Sequence, residues 1–369
     1  MFINIIDSTI LSEGIIKNFN KYLPNTIFYF NGSYTGSECN VISTNFSKEE
    51  NLMKIVDEIN NHKQATVIFH FMNSQKRFIL NNLNDYIKKV WCIWGYDLYE
   101  ANASFIRFSI YDTITQKYII KNRNLLTETK SFIKKISYTI QTNSTPKKRF
   151  KNDLKNFDAI SYIVPEEEKI INKLGFSIPS LLLYHDPTYL EFTPIEKMEV
   201  NNKNNILIGN SGALSNNHLD AFELLINEDI GDRKIIVPLS YGGNKKYIDY
   251  VIKKGFDQFG ENFLPVINRL PLKEYSKLLE GCGIVIFNHK RQQGVGNLLS
   301  LIGRGSKIIF NPENPVFTYY KSYGLYLENI NNFTLNTLTL NQVIENQHVI
   351  KNIYNEDKLI KEFEKLKLI

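Results

Sequence analysis

The stretch "GIVIFNHKRQQGVGNLLSLIGRGSKIIF" (residues 283–310) decides the fold. An apolar, β-branched run over 283–287 ends in a basic, amide-rich turn. Gly294 and Gly296 follow, then a segment of helical period, then a second strand-like run over 307–311. Strand, glycine turn, helix and strand in that order make a βα unit of a parallel sheet.

The same alternation runs outward in both directions. Towards the C-terminus a strand-like run at 325–329 precedes a helical tail. Towards the N-terminus, strand-like runs at 206–212, 234–242 and 263–267 alternate with helical segments at 215–228, 244–255 and 271–281. Residues 185–205 interrupt the pattern: they are polar, contain two prolines and read as a linker. Before them, strand-like runs fall at 2–6, 26–30, 40–44, 65–72, 89–95, 158–165 and 178–184. Helical segments reach to Tyr22 and cover 47–60, 74–87 and 128–142. Ser47 and Glu50 have the spacing of a capping box for the second of these. The expected architecture is α/β, with two Rossmann-like doubly wound domains facing a central cleft. The expected bounds are 1–190, a linker at 191–205, 206–340, and a helical tail at 341–369. Ligands of such sheets collect beyond the C-terminal strand ends.

Composition narrows the classes. The chain has 369 residues, 43% hydrophobic and 22% charged, enough for two cores. Cys39, Cys92 and Cys282 have no paired spacing, which argues against a disulfide framework or a zinc site. The start "MFINIIDSTI" lacks the pattern of a signal peptide, and no run is long and apolar enough to span a bilayer. The expectation is a protein that is soluble or lies on a membrane surface. The net charge of +6 is uneven: residues 101–155 hold twelve Lys/Arg and three acids. Such a stretch is either a solvated helical face or a contact for anionic lipid or a phosphorylated partner. No nucleic-acid recognition motif accompanies it.

The turn after 287 suits a diphosphate. Gly294 and Gly296 let backbone amides approach a ligand, and they open a helix whose N-terminus carries partial positive charge. Arg291 adds a planar double donor, and Gln292, Gln293 and Asn297 add neutral donors. The spacing is GxGxxL rather than the dinucleotide GxGxxG, and no P-loop occurs. Two further turns are rich in glycine, hydroxyl and amide groups: "GNSG" (Gly209, Asn210, Ser211, Gly212) and "PLSYGG" (with Pro238, Ser240, Tyr241). Glu313, in "NPENP", is placed to accept hydroxyls of a ribose or a sugar, or is simply a solvated turn acid. In the N-terminal half, "IWGYDLYE" (93–100) puts Trp94, Gly95 and Tyr96 beside Asp97 and Glu100. An aromatic wall with carboxylates suits a sugar ring and a general base. His70 ends the neighbouring strand-like run; Asp97 as a helix cap and His70 as a core residue are the plainer alternatives. No D-x-D occurs, so no cofactor or bound metal is expected.

These motifs resemble those of the TDP-Fuc4NAc:lipid II Fuc4NAc transferases, glycosyltransferase family 56, of enterobacterial common antigen synthesis. "IWGYDLYE", "ILIGNSGALSNNHLDAF", "IVPLSYGGNKKYIDYV" and "RQQGVGNLL…NPENP" carry the likeness, across roughly 65–317. The resemblance implies a GT-B fold with the donor nucleotide on the second domain. It also implies a TDP-sugar donor, with a UDP-sugar as alternative, and an undecaprenyl-diphosphate-linked saccharide acceptor. Work at the inner face of the cytoplasmic membrane, against an anionic surface, follows from the same likeness. Asp97 is then the first candidate for the base, with Glu100 and His70 behind it. A GT-B nucleotide-sugar epimerase and a non-catalytic nucleotide-sugar binder are the competing classes.

Overall fold

Every pairing between strands is parallel in the computed structural model, which describes residues 1–9, 12–99, 110–122, 145–185 and 205–369. The first sheet holds β1 (Phe2–Asp7), β2 (Thr26–Asn31), β3 (Val41–Thr44), β4 (Thr66–His70), β5 (Lys88–Cys92), β6 (Ala159–Ser161) and β7 (Ser180–Leu181). Its order is β3-β2-β1-β4-β5-β6-β7. The second sheet holds β8 (Asn205–Ile208), β9 (Ile235–Pro238), β10 (Phe263–Val266), β11 (Cys282–Phe287), β12 (Lys307–Phe310) and β13 (Leu327–Asn329). Its order is β10-β9-β8-β11-β12-β13. Strand order therefore reverses between β1 and β4 in one sheet and between β8 and β11 in the other. A doubly wound sheet opens its ligand crevice at such a reversal.

The sequence explains these strands. All six residues of β11 are buried, as are Ile206, Leu207 and Ile208 of β8. Parallel strands covered on both faces read as continuous apolar runs rather than alternating ones. Pro265 is tolerated because β10 is an edge strand.

The chain divides into two compact units, and the division departs from a single cut at 191–205. The first unit is Met1–Arg107, Ile133–Asp186 and Asn355–Ile369; the second is Phe108–Phe132 and Pro187–Tyr354. The helix Thr113–Lys121 joins the second unit because the Asp220 carboxylate accepts hydrogen bonds from its first turn. These come from Ile114 N (2.6 Å), Thr115 N (2.9 Å) and Thr115 Oγ1 (2.7 Å). The tail is likewise shared between the units. The helix Leu340–Ile353 stays with the second unit, where Gln347 Nε2 donates to Gly303 O at 2.7 Å. The helix Glu356–Lys367 returns to the first, burying Leu359, Phe363 and Leu366 in its core.

Two local expectations change. Asn45 Oδ1 accepts from both Ser47 N (2.9 Å) and Ser47 Oγ (2.7 Å), so Ser47 caps nothing. The helix starts at Glu49, with Lys48 at its cap. The basic stretch is also divided: Lys117 and Lys121 belong to the second unit, and Lys147, Lys148, Arg149, Lys151 and Lys155 to the first. The expected helix over 128–142 and most of the expected linker lie outside the described residues.

Candidate functional site

The loops after β8 and β11 meet at the reversal of the second sheet. Gly294 has φ +67°, the left-handed region, and caps the helix Val295–Gly303 without a side chain. A Cβ added there would lie 2.9 Å from Asn210 Cγ. Glycine is thus required twice, by conformation and by the neighbouring loop. Two residues on, the side-chain direction of the exposed Gly296 meets nothing within 4 Å. The first amides of a helix have no partner within it.

A directional relay of hydrogen bonds fixes the polar side chains around this helix start. Arg291 Nη2 donates to Ser215 Oγ (3.2 Å), and Ser215 Oγ donates to Gln293 Oε1 (2.9 Å). Gln293 Nε2 then donates to Asn210 Oδ1 and to Asn216 Oδ1, both at 2.9 Å. Asn216 Oδ1 also accepts from Asn210 N at 3.0 Å, and Asn216 Nδ2 donates to Ser211 O at 2.8 Å. Asn210 Nδ2 reaches the hydroxyl of Tyr241 on the β9 loop at 3.1 Å. Gly212 N donates to Tyr241 O at 2.7 Å, tying the β8 and β9 loops together. Asn210, Ser211, Arg291, Gln292 and Gln293 are all buried, and Gln292 Oε1 has no hydrogen-bond partner among the described residues. Amides, hydroxyls and a guanidinium gathered at a helix start are chemistry that suits phosphate oxygens.

The remaining residues expected here are placed as follows. Gly209 follows β8, its amide donating to Ile286 O at 3.0 Å. Pro238 ends β9, and Ser240 follows it in the loop. Asn297 Nδ2 donates to Tyr275 Oη at 2.8 Å. Glu313 is exposed, and Lys290 Nζ donates to its carboxylate at 2.7 Å, with Asp112 3.7 Å from the same ammonium. His289 and His218 stay neutral beside the cradle. Burial, then the charge of Arg291, pushes His289 well down, and burial brings His218 to about 3. Asn216, Ser215 and Lys290 join the cradle without belonging to a glycine turn. The polar run "SNNH" at 215–218, just before the next helix, is the sequence signal for the first two.

In the first unit the structure places two of the expected catalytic residues inside buried hydrogen-bond networks. Asp97 is buried, and its carboxylate accepts from Met72 N (2.9 Å), Trp91 Nε1 (2.9 Å) and Trp94 N (3.0 Å). It staples the loop after β4 to the loop after β5, so a proton-accepting role at a substrate is disfavoured. Burial raises its pKa above the usual carboxylate range, and these hydrogen bonds oppose the shift. His70 is fully buried with both ring nitrogens engaged. Nε2 donates to Asn4 Oδ1 (2.8 Å), and Nδ1 accepts from Tyr184 Oη (2.5 Å). Burial holds the ring neutral, so it is a core histidine. Trp94 is half-buried, Gly95 buried and Tyr96 half exposed beside them. Glu100 lies outside the described residues.

Two doubly wound parallel sheets with polar βα loops at the reversal of the second define the GT-B class of fold. Solved structures agree. HepE from Anabaena, in complex with UDP-glucose, matches with a TM-score of 0.61 at 10% identity, covering 100% of each chain. A trehalose-6-phosphate structure from E. coli bound with UDP-2-fluoro glucose matches with a TM-score of 0.58 at 8% identity, covering 100% of this chain and 98% of the other. A UDP-forming α,α-trehalose-phosphate synthase from Burkholderia xenovorans gives 0.59 at 6% identity, covering 99% and 98%.

The family is narrower than the fold. The family model described as 4-alpha-L-fucosyltransferase glycosyl transferase group 56 matches residues 171–359, just over half of the chain. The chain belongs to this family and is a glycosyltransferase.

Proposed function

We propose that the protein moves a 4-acetamido-4,6-dideoxy-galactose-like sugar from a TDP-sugar to a lipid-diphosphate-linked saccharide in cell-surface glycan synthesis. The observation that carries this reading is the relay from Arg291 through Ser215 and Gln293 to Asn210, set around the open helix start at Gly294 and Gly296. The donor diphosphate lies there. The acceptor hydroxyl oxygen attacks the anomeric carbon while the bond from that carbon to the phosphate oxygen breaks, and the diphosphate takes the bonding electron pair. Negative charge develops on the departing oxygen, where fixed donors stabilise it most. The hydroxyl proton goes to a base, for which Glu100 is the remaining candidate of the three read from sequence. The UDP-glucose bound to HepE makes a UDP-sugar the alternative donor.

The acceptor assignment rests on the family likeness. Among the described residues no helix is long and apolar enough to cross a membrane. Lysines on the helices Thr113–Lys121 and Pro146–Lys155 offer charge to an anionic surface at the inner face of the cytoplasmic membrane. The test is a nucleotide-release assay with TDP- and UDP-sugars, with and without a prenyl-diphosphate disaccharide. Free TDP that appears only with the acceptor, alongside glycosylated product, supports the reading. Turnover of donor to an isomer without acceptor, or no turnover at all, contradicts it.

A further inference from the structure

The reversal of the first sheet lies between β1 and β4, and the residue that leaves β4 is held in an unusual state. Phe71 has φ +62°. A bulky residue in the left-handed region is strained and persists only where its surroundings enforce it. Here they do. Phe71 N donates to Cys92 O at 3.0 Å, and Met72 N donates to Asp97 at 2.9 Å. On the other side the buried Lys76 ammonium binds the His70 carbonyl.

This conformation sets the Phe71 ring beside two others. It is 6.1 Å from Tyr96 at an interplanar angle of 25°, and 6.1 Å from Trp94 at 56°. Phe71 and Trp94 are partly exposed, and Tyr96 is half exposed. Trp94 is itself fixed: Nε1 donates to Tyr184 Oη at 2.7 Å, and that hydroxyl donates to His70. A buried polar network therefore presents three rings, from two loops, at the edge where a parallel sheet takes its ligand. Lys76, the buried cation at this edge, is already paired with Asp7 at 2.6 Å. Among the described residues this buried cation is thus engaged, while the three rings keep exposed surface.

We infer that Phe71, Trp94 and Tyr96 form a stacking platform for a pyranose ring of the acceptor saccharide, an inference that rests on the function proposed above. The C–H face of a pyranose is apolar and slightly positive, complementary to the negative face of an aromatic ring. Asp97 and Tyr184 act as positioning residues that hold the platform in shape.

The test uses the full chain and two probes: a prenyl diphosphate carrying an N-acetylhexosamine disaccharide, and the same prenyl diphosphate without sugar. Binding is followed by intrinsic tryptophan fluorescence. Phe71→Asn and Tyr96→Ala should each weaken binding of the sugar-bearing probe by at least about tenfold. The sugar-free probe should bind both variants like wild type. Asparagine adopts left-handed backbone readily, so the Tm of Phe71→Asn should be no lower than that of wild type. Wild-type affinity of both variants for the sugar-bearing probe overturns the platform. A lowered Tm of Phe71→Asn with unchanged sugar affinity also overturns it, reducing Phe71 to a packing role. Failure of the donor reading would show separately, as absent TDP binding by wild type in calorimetry, while the saccharide titration stays interpretable.

Discussion

Asn210 stands against Gly294 so closely that a methyl group at position 294 would come within 2.9 Å of its Cγ. The contact joins the two loops that flank the strand reversal of the second sheet. Gly294→Ala should therefore do two things at once. It strains a left-handed cap by about 1–2 kcal/mol and pushes Asn210 out of the relay. The strain lowers stability, and the displaced Asn210 should lower TDP affinity by about tenfold, read by calorimetry. Unchanged affinity would separate the Asn210 loop from the ligand.

Asp97 distinguishes a staple from a base. Its two oxygens face three N–H donors, so the amide of an asparagine must point at one or two of them. Leaving such donors unsatisfied in a buried site costs about 1–3 kcal/mol each. Asp97→Asn should lower the Tm by several degrees, weaken acceptor binding and leave TDP affinity unchanged. A variant with wild-type Tm and turnover reduced by about a hundredfold or more would return Asp97 to the role of base.

Glu167 should make stability depend on pH. Burial, against the opposing hydrogen bonds from Val164 N and Ile163 N and with repulsion from Asp97, raises its pKa from 4.5 to about 8. Between these values the folded protein keeps a proton that the unfolded chain has lost. The contribution is fully present below pH 4.5 and is lost as pH rises through about 8. Glu167→Gln keeps an acceptor for those amides and removes the charge. Urea midpoints at pH 5.5 and 8.5 should thus differ less in Glu167→Gln than in wild type. Equal differences would mean that Glu167 titrates normally.

The fold was legible because parallel strands buried on both faces leave uninterrupted apolar runs, as in "GIVIF" and "KIIF". Boundaries were less legible where side chains intervene. The run at 89–95 stops pairing at Cys92, since Asp97 turns the chain back through Trp94 N. The division into units was hidden for a different reason. Asp220 captures the start of the helix Thr113–Lys121 from about a hundred positions away, and no local period encodes that. At the candidate site, sequence pointed to the glycines and the amide-rich turn. It did not show Asn216 as the group that receives both Asn210 N and Gln293 Nε2, because that role exists only once two loops meet. In the first unit, residue type alone suggested acid–base chemistry for Asp97 and His70. Their burial and full hydrogen bonding give them structural work instead.

The most direct test of the donor site is TDP calorimetry on Gly296→Leu. The new side chain enters open space and replaces a glycine within a helix, so it should leave the Tm equal or higher. If phosphates lie over the start of this helix, the leucine occupies their place. The expected variant is stable and has lost measurable TDP binding. A stable variant that binds TDP like wild type would contradict it.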